Sequence, residues 1–158
     1  MKEWGPTFLR LAMGGVFIAH GAQKLFGVWG GGGLSGTTAY FTSLGLPSPS
    51  LLAILGSSVE AGGGALLVVG YQTIWVALAL IVNMGVAIWK VHYTHGFFLN
   101  WTNAPGVGHG YEYNLVLIAG LLCLIFTGAG ALSIDYARQR AAEEEAAGRA
   151  RLRAKVNQ

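Results

Sequence analysis

Charge is what this chain has least of. Charged residues make up 11% of its 158 residues, ten basic and seven acidic, against roughly 25% in an ordinary soluble protein. Ten of those 17 charges lie in Asp135–Gln158, which leaves seven for the first 134 residues. A soluble fold of that size needs a solvated shell that seven charges do not supply, so a water-soluble globular body is excluded. Cysteine is almost missing as well. With Cys123 alone, inside an apolar run, there is no intramolecular disulfide, no CxxC redox pair and no Cys-built zinc or iron–sulfur centre. Any redox role therefore rests on a borrowed cofactor such as a quinone, not on one of the chain's own. The net charge of +3 and pI of about 9.2 do not point to nucleic acid. The basic excess sits in a short tail beside a hydrophobic body, where it reads as a topology signal.

What is present is apolar: 53% hydrophobic residues and 25 glycines. A membrane-crossing helix needs about 20 mostly apolar residues. Four stretches qualify, at residues 7–26, 51–70, 73–91 and 112–130, the second and third separated only by Tyr71 and Gln72. The expected fold is an all-α membrane protein, an antiparallel bundle of four transmembrane helices. Residues 1–134 form the membrane domain, and residues 135–158 a charged cytoplasmic tail. Lys2, Arg10 and the six basic residues of the tail collect on one face if both termini are cytoplasmic, with only Lys24 and Lys90 opposite. The positive-inside rule then places both termini in the cytoplasm. The first span resembles a signal peptide only superficially. No A-x-A site follows its apolar core, and it is expected to stay in place.

Two outer loops carry the irregular sequence. The first, Gly27–Ser50, opens with a glycine run and closes on LGLPSPS, and Thr37–Leu44 between them suits a short interfacial helix. Its Gly31–Gly36 stretch fits GxGxxG in letters only. It lacks the preceding strand that a dinucleotide site requires and reads as a flexible loop. The second loop, His92–Tyr111, is rich in aromatics and histidine, as an interfacial belt would be. His92, His95 and His109 lack the carboxylate or thiolate company of a metal site, so no metal is expected. Asn100-Trp101-Thr102 is a formal glycosylation sequon. In the tail, Ser133 can cap a helix, and Glu145 and Arg149 are spaced to pair along it. Such a helix is either a solubilising extension or a contact for anionic lipid or a partner.

The few polar groups in the spans stand out. Glu60 is the tenth of twenty residues in the second span, where an ionised acid costs roughly 2.5–3.5 kcal/mol on the insertion scale. Its helical neighbours Gly56, Ser57, Gly63 and Gly64 leave that face hollow. A Ser57-xxx-Ala61-xxx-Ala65 ladder beside it suits close helix packing. His20 and Lys24 share one face of the first span, and Asn83 and Lys90 one face of the third. Glu112 opens the fourth at the same outer end. Together these six form one polar pocket open to the non-cytoplasmic side, used either for ligand or proton handling or as a structural ion-pair network.

The motifs HGAQKLFG (His20–Gly27), LGLPSP (Leu44–Pro49), SVEAGGGALLVVG (Ser58–Gly70), GYEYNLVL (Gly110–Leu117) and GAGALSID (Gly128–Asp135) resemble, in order and spacing, the DoxX family of bacterial membrane proteins. The resemblance covers about Thr7–Asp135. It implies a compact four-helix membrane bundle in the bacterial inner membrane, with family polar positions at His20, Lys24, Glu60 and Glu112. Asn83 and Lys90 rest mainly on the membrane argument. It also implies an accessory, quinone-interacting subunit of an oxidoreductase complex, with other redox subunits and membrane lipid as partners and with homo-oligomers compatible. Family membership does not fix an activity. A non-catalytic scaffold or assembly factor is the main alternative, and a proton-coupled transporter of a small solute a minor one.

Overall fold

Core-facing residues recur every three or four positions along each long helix, and that spacing decides how the chain packs. The computed structural model describes residues 3–156, so Lys2 of the charge count lies outside the described residues. Six α-helices follow one another: α1 (Trp4–Phe26), α2 (Gly33–Ser43), α3 (Pro49–Val69), α4 (Thr73–Ala87), α5 (Glu112–Thr127) and α6 (Ile134–Val156). There is no strand among the described residues. A π turn over Ile88–His92 and a 3-10 turn over Tyr93–His95 prolong α4. Helix α2 starts at Gly33, inside the glycine run read as a flexible loop and four residues before the expected Thr37. The Thr37 hydroxyl ties it down, its single hydrogen shared between the Gly33 carbonyl at 2.9 Å and the Lys24 carbonyl at 3.1 Å.

Helix α1 packs on α3, α3 on α4 and α4 on α5, and α5 returns to α1, while α2 lies against α1 and α3. Phe17, Leu67, Leu80, Leu121 and Leu124 fill the centre. The outside is as apolar as the inside. Phe8 on α1, Leu55 on α3, Trp75 and Val82 on α4, and Val116 and Phe126 on α5 are all exposed. In water such a surface would drive aggregation; in hydrocarbon it is the proper solvent-facing surface. Two helices, α3 and the stretch Thr73–His95, are long and apolar enough to cross a membrane. Helix α5 has 16 residues, or about 24 Å at 1.5 Å per residue. It stops at Thr127, not at 130, because Gly128 and Gly130 take φ of 81° and 73° and turn the chain away.

The α1–α3 contact is close enough to exclude side chains. A Cβ on Gly64 would lie 2.7 Å from the Gly14 carbonyl oxygen, and one on Gly21 would collide with the Ala61 backbone. This corrects two expectations. The seam keeps Ser57 and Ala61 of the expected ladder but then follows Gly64 and Leu67, beside buried Glu60, while Ala65 faces outward. A three-four alternation keeps a stripe on one side of a helix, whereas strict steps of four drift around it. The face around Glu60 is also not hollow. Leu80 packs on Gly63, and the Asn83 side-chain oxygen sits over Gly56.

The opposite end of the helices is held by polar groups that the sequence had placed at the membrane surface. Arg10, counted above as a charge marking the cytoplasmic face, is 1% exposed. Its guanidinium donates to the carbonyls of Leu67 (2.6 Å), Ala129 (2.8 Å) and Leu132 (3.1 Å), and to that of Val68. These are C-terminal carbonyls of α3, where that of Leu67 also accepts the Gly70 N–H at 3.0 Å, and carbonyls of the chain just after α5, which need a donor if buried. Asp135, placed in the tail by sequence, belongs to this junction. Its carboxylate accepts from the backbone N–H groups of Gln72 (3.0 Å) and Thr73 (2.8 Å), capping α4. Ser133 caps α6 by accepting from the Tyr136 N–H at 3.1 Å. Asp135→Ala is therefore expected to cost about 1 kcal/mol, as loss of a helix N-cap does. Removal of residues 141–158 should leave thermal unfolding in detergent unchanged.

Candidate functional site

Antiparallel packing of α1 on α3 sets Lys24 opposite Glu60. The glycines of the seam let the backbones come close enough for the two side chains to meet. The Lys24 ammonium lies 2.6 Å from Glu60 Oε1 and 2.7 Å from Oε2. From α4, the Asn83 amide donates to Glu60 Oε1 at 3.0 Å. Glu60 is 2% exposed, whereas the Lys24 side chain is 39% exposed. The pair thus has one end sealed among helices and the other reachable. Charge-assisted hydrogen bonds of this length are strong, and they offset the desolvation that burial of the carboxylate imposes. Lys24, read from the sequence as one of the pocket residues, turns inward to meet Glu60.

The six residues read from sequence as one pocket are not all in one place. Lys24, Glu60 and Asn83 converge. His20 sits one turn below Lys24 on α1, exposed, its ring 6.1 Å from that of Tyr113 on α5 and tilted by 55°. Lys90 is exposed, its ammonium 3.6 Å from the centroid of the Trp89 ring. The π turn is the reason. It adds a residue to the helical repeat, so a separation of seven no longer returns to the face of Asn83. Glu112 accepts from the Leu99 N–H at 2.7 Å and fastens the outer loop to α5. The charges therefore divide into one buried pair and two groups engaged separately.

The outer loop is built on its own backbone. Asn100 is its hub: its amide donates to the carbonyls of Val107 (2.9 Å) and Ala104 (3.1 Å), and its oxygen accepts from the Ala104 N–H. The sequon asparagine is thus a structural residue of the loop. His92 lies 2.8 Å from the His109 carbonyl, and His109 accepts from the Asn100 N–H. Among the described residues no group of three His, Cys, Asp or Glu side chains is placed to hold a metal ion.

Sequence reasoning missed three residues near the pair. Ser57, one turn from Glu60, is buried with a hydroxyl that has no hydrogen-bond partner among the described residues. Asn114 is buried on α5, its amide 3.5 Å from the Met84 sulfur. Tyr113 was read only as part of GYEYNLVL, one of the stretches that carry the family resemblance. Asn114 was legible in principle, as an amide inside a span; Ser57 was noticed only as a small residue.

Comparison with known proteins agrees with the membrane character of this helical body. The family model described as DoxX matches residues 5–93, which include α1 to α4 and with them Lys24, Glu60 and Asn83. The Escherichia coli protein named "Inner membrane protein YphA" is 34% identical over 131 residues, covering 80% of this chain and 84% of that protein. "Putative oxidoreductase CatD" of Bacillus subtilis is 29% identical over 133 residues, covering 84% and 86%. "Inner membrane protein YqjF" of Escherichia coli is 30% identical over 136 residues, covering 85% and 92%. No solved structure matches the chain. A family match over more than half the chain, with relatives similar over most of their own length, makes this protein a membrane protein of the DoxX family.

Proposed function

We propose that the protein is a four-span protein of the bacterial inner membrane, both termini cytoplasmic, acting as an accessory, quinone-interacting subunit of a membrane-bound oxidoreductase complex. Exposed large apolar side chains on α1, α3, α4 and α5 alike support four spans. The six basic residues between Arg138 and Lys155 support the cytoplasmic tail. Relatives named as inner membrane proteins, and one named as an oxidoreductase, point the same way. The observation that carries the functional reading is the Lys24–Glu60–Asn83 cluster, a carboxylate buried mid-helix whose lysine partner stays reachable.

The donor set suits a quinone, whose two carbonyls need hydrogen-bond donors in apolar surroundings. Lys24, His20 and the Tyr113 hydroxyl supply donors on the reachable side, and exposed Val116 supplies an apolar flank. A bound quinone would supply two-electron, two-proton chemistry. Glu60 would hold and release a proton, Lys24 would steady its charge, and Asn83 would fix the orientation of the carboxylate. The chain offers no electron carrier of its own, so a redox partner subunit is required. Gentle detergent extraction from native membranes, with mass spectrometry of co-purifying lipids and proteins, tests this reading. Quinone and a redox subunit should accompany the wild type, and Glu60→Gln should retain about tenfold less quinone. Wild-type protein free of both would refute it.

A scaffold role is the second reading, favoured by α6. Residues 139–156 are exposed throughout, and Arg149 pairs with Glu145 along the helix at 2.5 Å. Removing residues 141–158 spares the Asp135 cap. If this truncation abolishes partner co-purification while quinone retention is unchanged, α6 is the partner-binding element.

A further inference from the structure

The ion pair is walled in unequally. On the α1–α3 side, the backbones of Gly14, Gly21, Ala61 and Gly64 touch and leave no passage. On the α3–α4 side, Asn83 covers Gly56 and Leu80 covers Gly63. Helix α2 lies against both α1 and α3, bound to the Lys24 carbonyl. Along the α1–α5 contact, the half nearer Arg10 is closed where Gly120 meets Met13, a Cβ there lying 3.0 Å from the sulfur. The other half is different. There the two helices face each other through His20 and Tyr113, the one aromatic pair among the described residues that links two of the four core helices. Both rings are exposed, Tyr113 by 37%. Lys24, the exposed end of the ion pair, is one helical turn from His20 on the same face.

We propose that the His20–Tyr113 seam between α1 and α5 is the lateral entry to the Lys24–Glu60 pair. Its occupant is a planar, uncharged ring bearing carbonyl acceptors and dissolved in the bilayer. This rests on the quinone reading above and adds the route and a contact residue, Tyr113. The chemistry fits the position. The imidazole and the phenol present π faces for a flat ring and polar hydrogens for its carbonyls. Exposed Val116, one turn further along α5, borders the seam with apolar surface.

Photolabelling full-length protein in proteoliposomes with a short-tailed azido-benzoquinone tests the seam. Label is expected on the α1 peptide containing His20 and on the α5 peptide containing Tyr113, with unlabelled benzoquinone competing it away. Tyr113→Leu, which keeps an apolar side chain but removes the ring, should lower labelling about three- to tenfold, the range of a lost ring–ring contact. Tyr113→Phe should lose less, and Glu60→Gln should keep label at the seam, since the entry precedes the pair. Label confined to α3 or α4, or label undiminished in Tyr113→Leu, would overturn the seam while leaving the quinone reading standing. No label above that on an unrelated membrane protein would overturn both. If Tyr113→Leu fails to fold, competition mapped on wild-type peptides decides by itself.

Discussion

Lys24→Ala is expected to lower the stability of the helical body by about 3 kcal/mol, because removing one partner of a buried ion pair strands the other. The figure sits at the low end of that range since the lysine is 39% exposed, while Glu60, at 2%, has nowhere to find water. Asn83 supplies a single hydrogen bond to Oε1, too little to hold an isolated carboxylate among apolar helices. Lys24→Arg is not a conservative rescue. The seam at Gly21 and Ala61 leaves no slack for a planar guanidinium in place of a compact ammonium. Thermal unfolding in detergent, with each variant compared to wild type, checks both statements.

A second large effect is expected at the other end of α1. Arg10→Met should cost about 3–5 kcal/mol, because carbonyls left buried without their donor cost about 1–3 kcal/mol each and those of Val68, Ala129 and Leu132 lose theirs together. The acceptors lie in three places, the end of α3, the chain after α5 and the link into α6. Losing the guanidinium should therefore loosen all three at once. Hydrogen exchange would show this as raised exchange at Leu67–Gly70 and Ala129–Asp135, with the Asn100 loop unaffected. Arg10→Lys should recover little, since one ammonium cannot reach acceptors spread on both sides of α1. If exchange rises evenly over the whole chain, Arg10 is not a local clamp.

The positions of the helices were legible because hydrophobic runs, prolines and glycines mark their ends directly. Pro49 opens α3 and Gly70 closes it, while Gln72 lies between two helices as the sequence suggested. The importance of Glu60 was legible too, since an acid in a span demands an explanation. What could not be read was which cation answers it. Lys24 and Lys90 both stood in the expected pocket, and the π turn that separates Lys90 from the face of Asn83 leaves no mark in hydropathy. Arg10 misled for a related reason. A basic residue near a span end looks like a topology marker, and only the packed carbonyls of α3 and the Gly128–Asp135 segment show it to be internal. The same segment explains why Asp135 belongs to the body and not to the tail.

On the proposed function, the Lys24–Glu60 pair acts on quinone and does not merely hold helices together. The double variant Lys24→Met/Glu60→Gln separates these roles. It removes both charges, keeps the volumes and leaves Asn83 an oxygen to donate to. Replacing a buried ion pair with neutral groups of similar volume is often neutral for stability. The variant should therefore unfold within about 1 kcal/mol of wild type while retaining about tenfold less quinone from native membranes. A double variant as stable as wild type that also retains quinone equally well would show the pair to be structural, and would contradict the account.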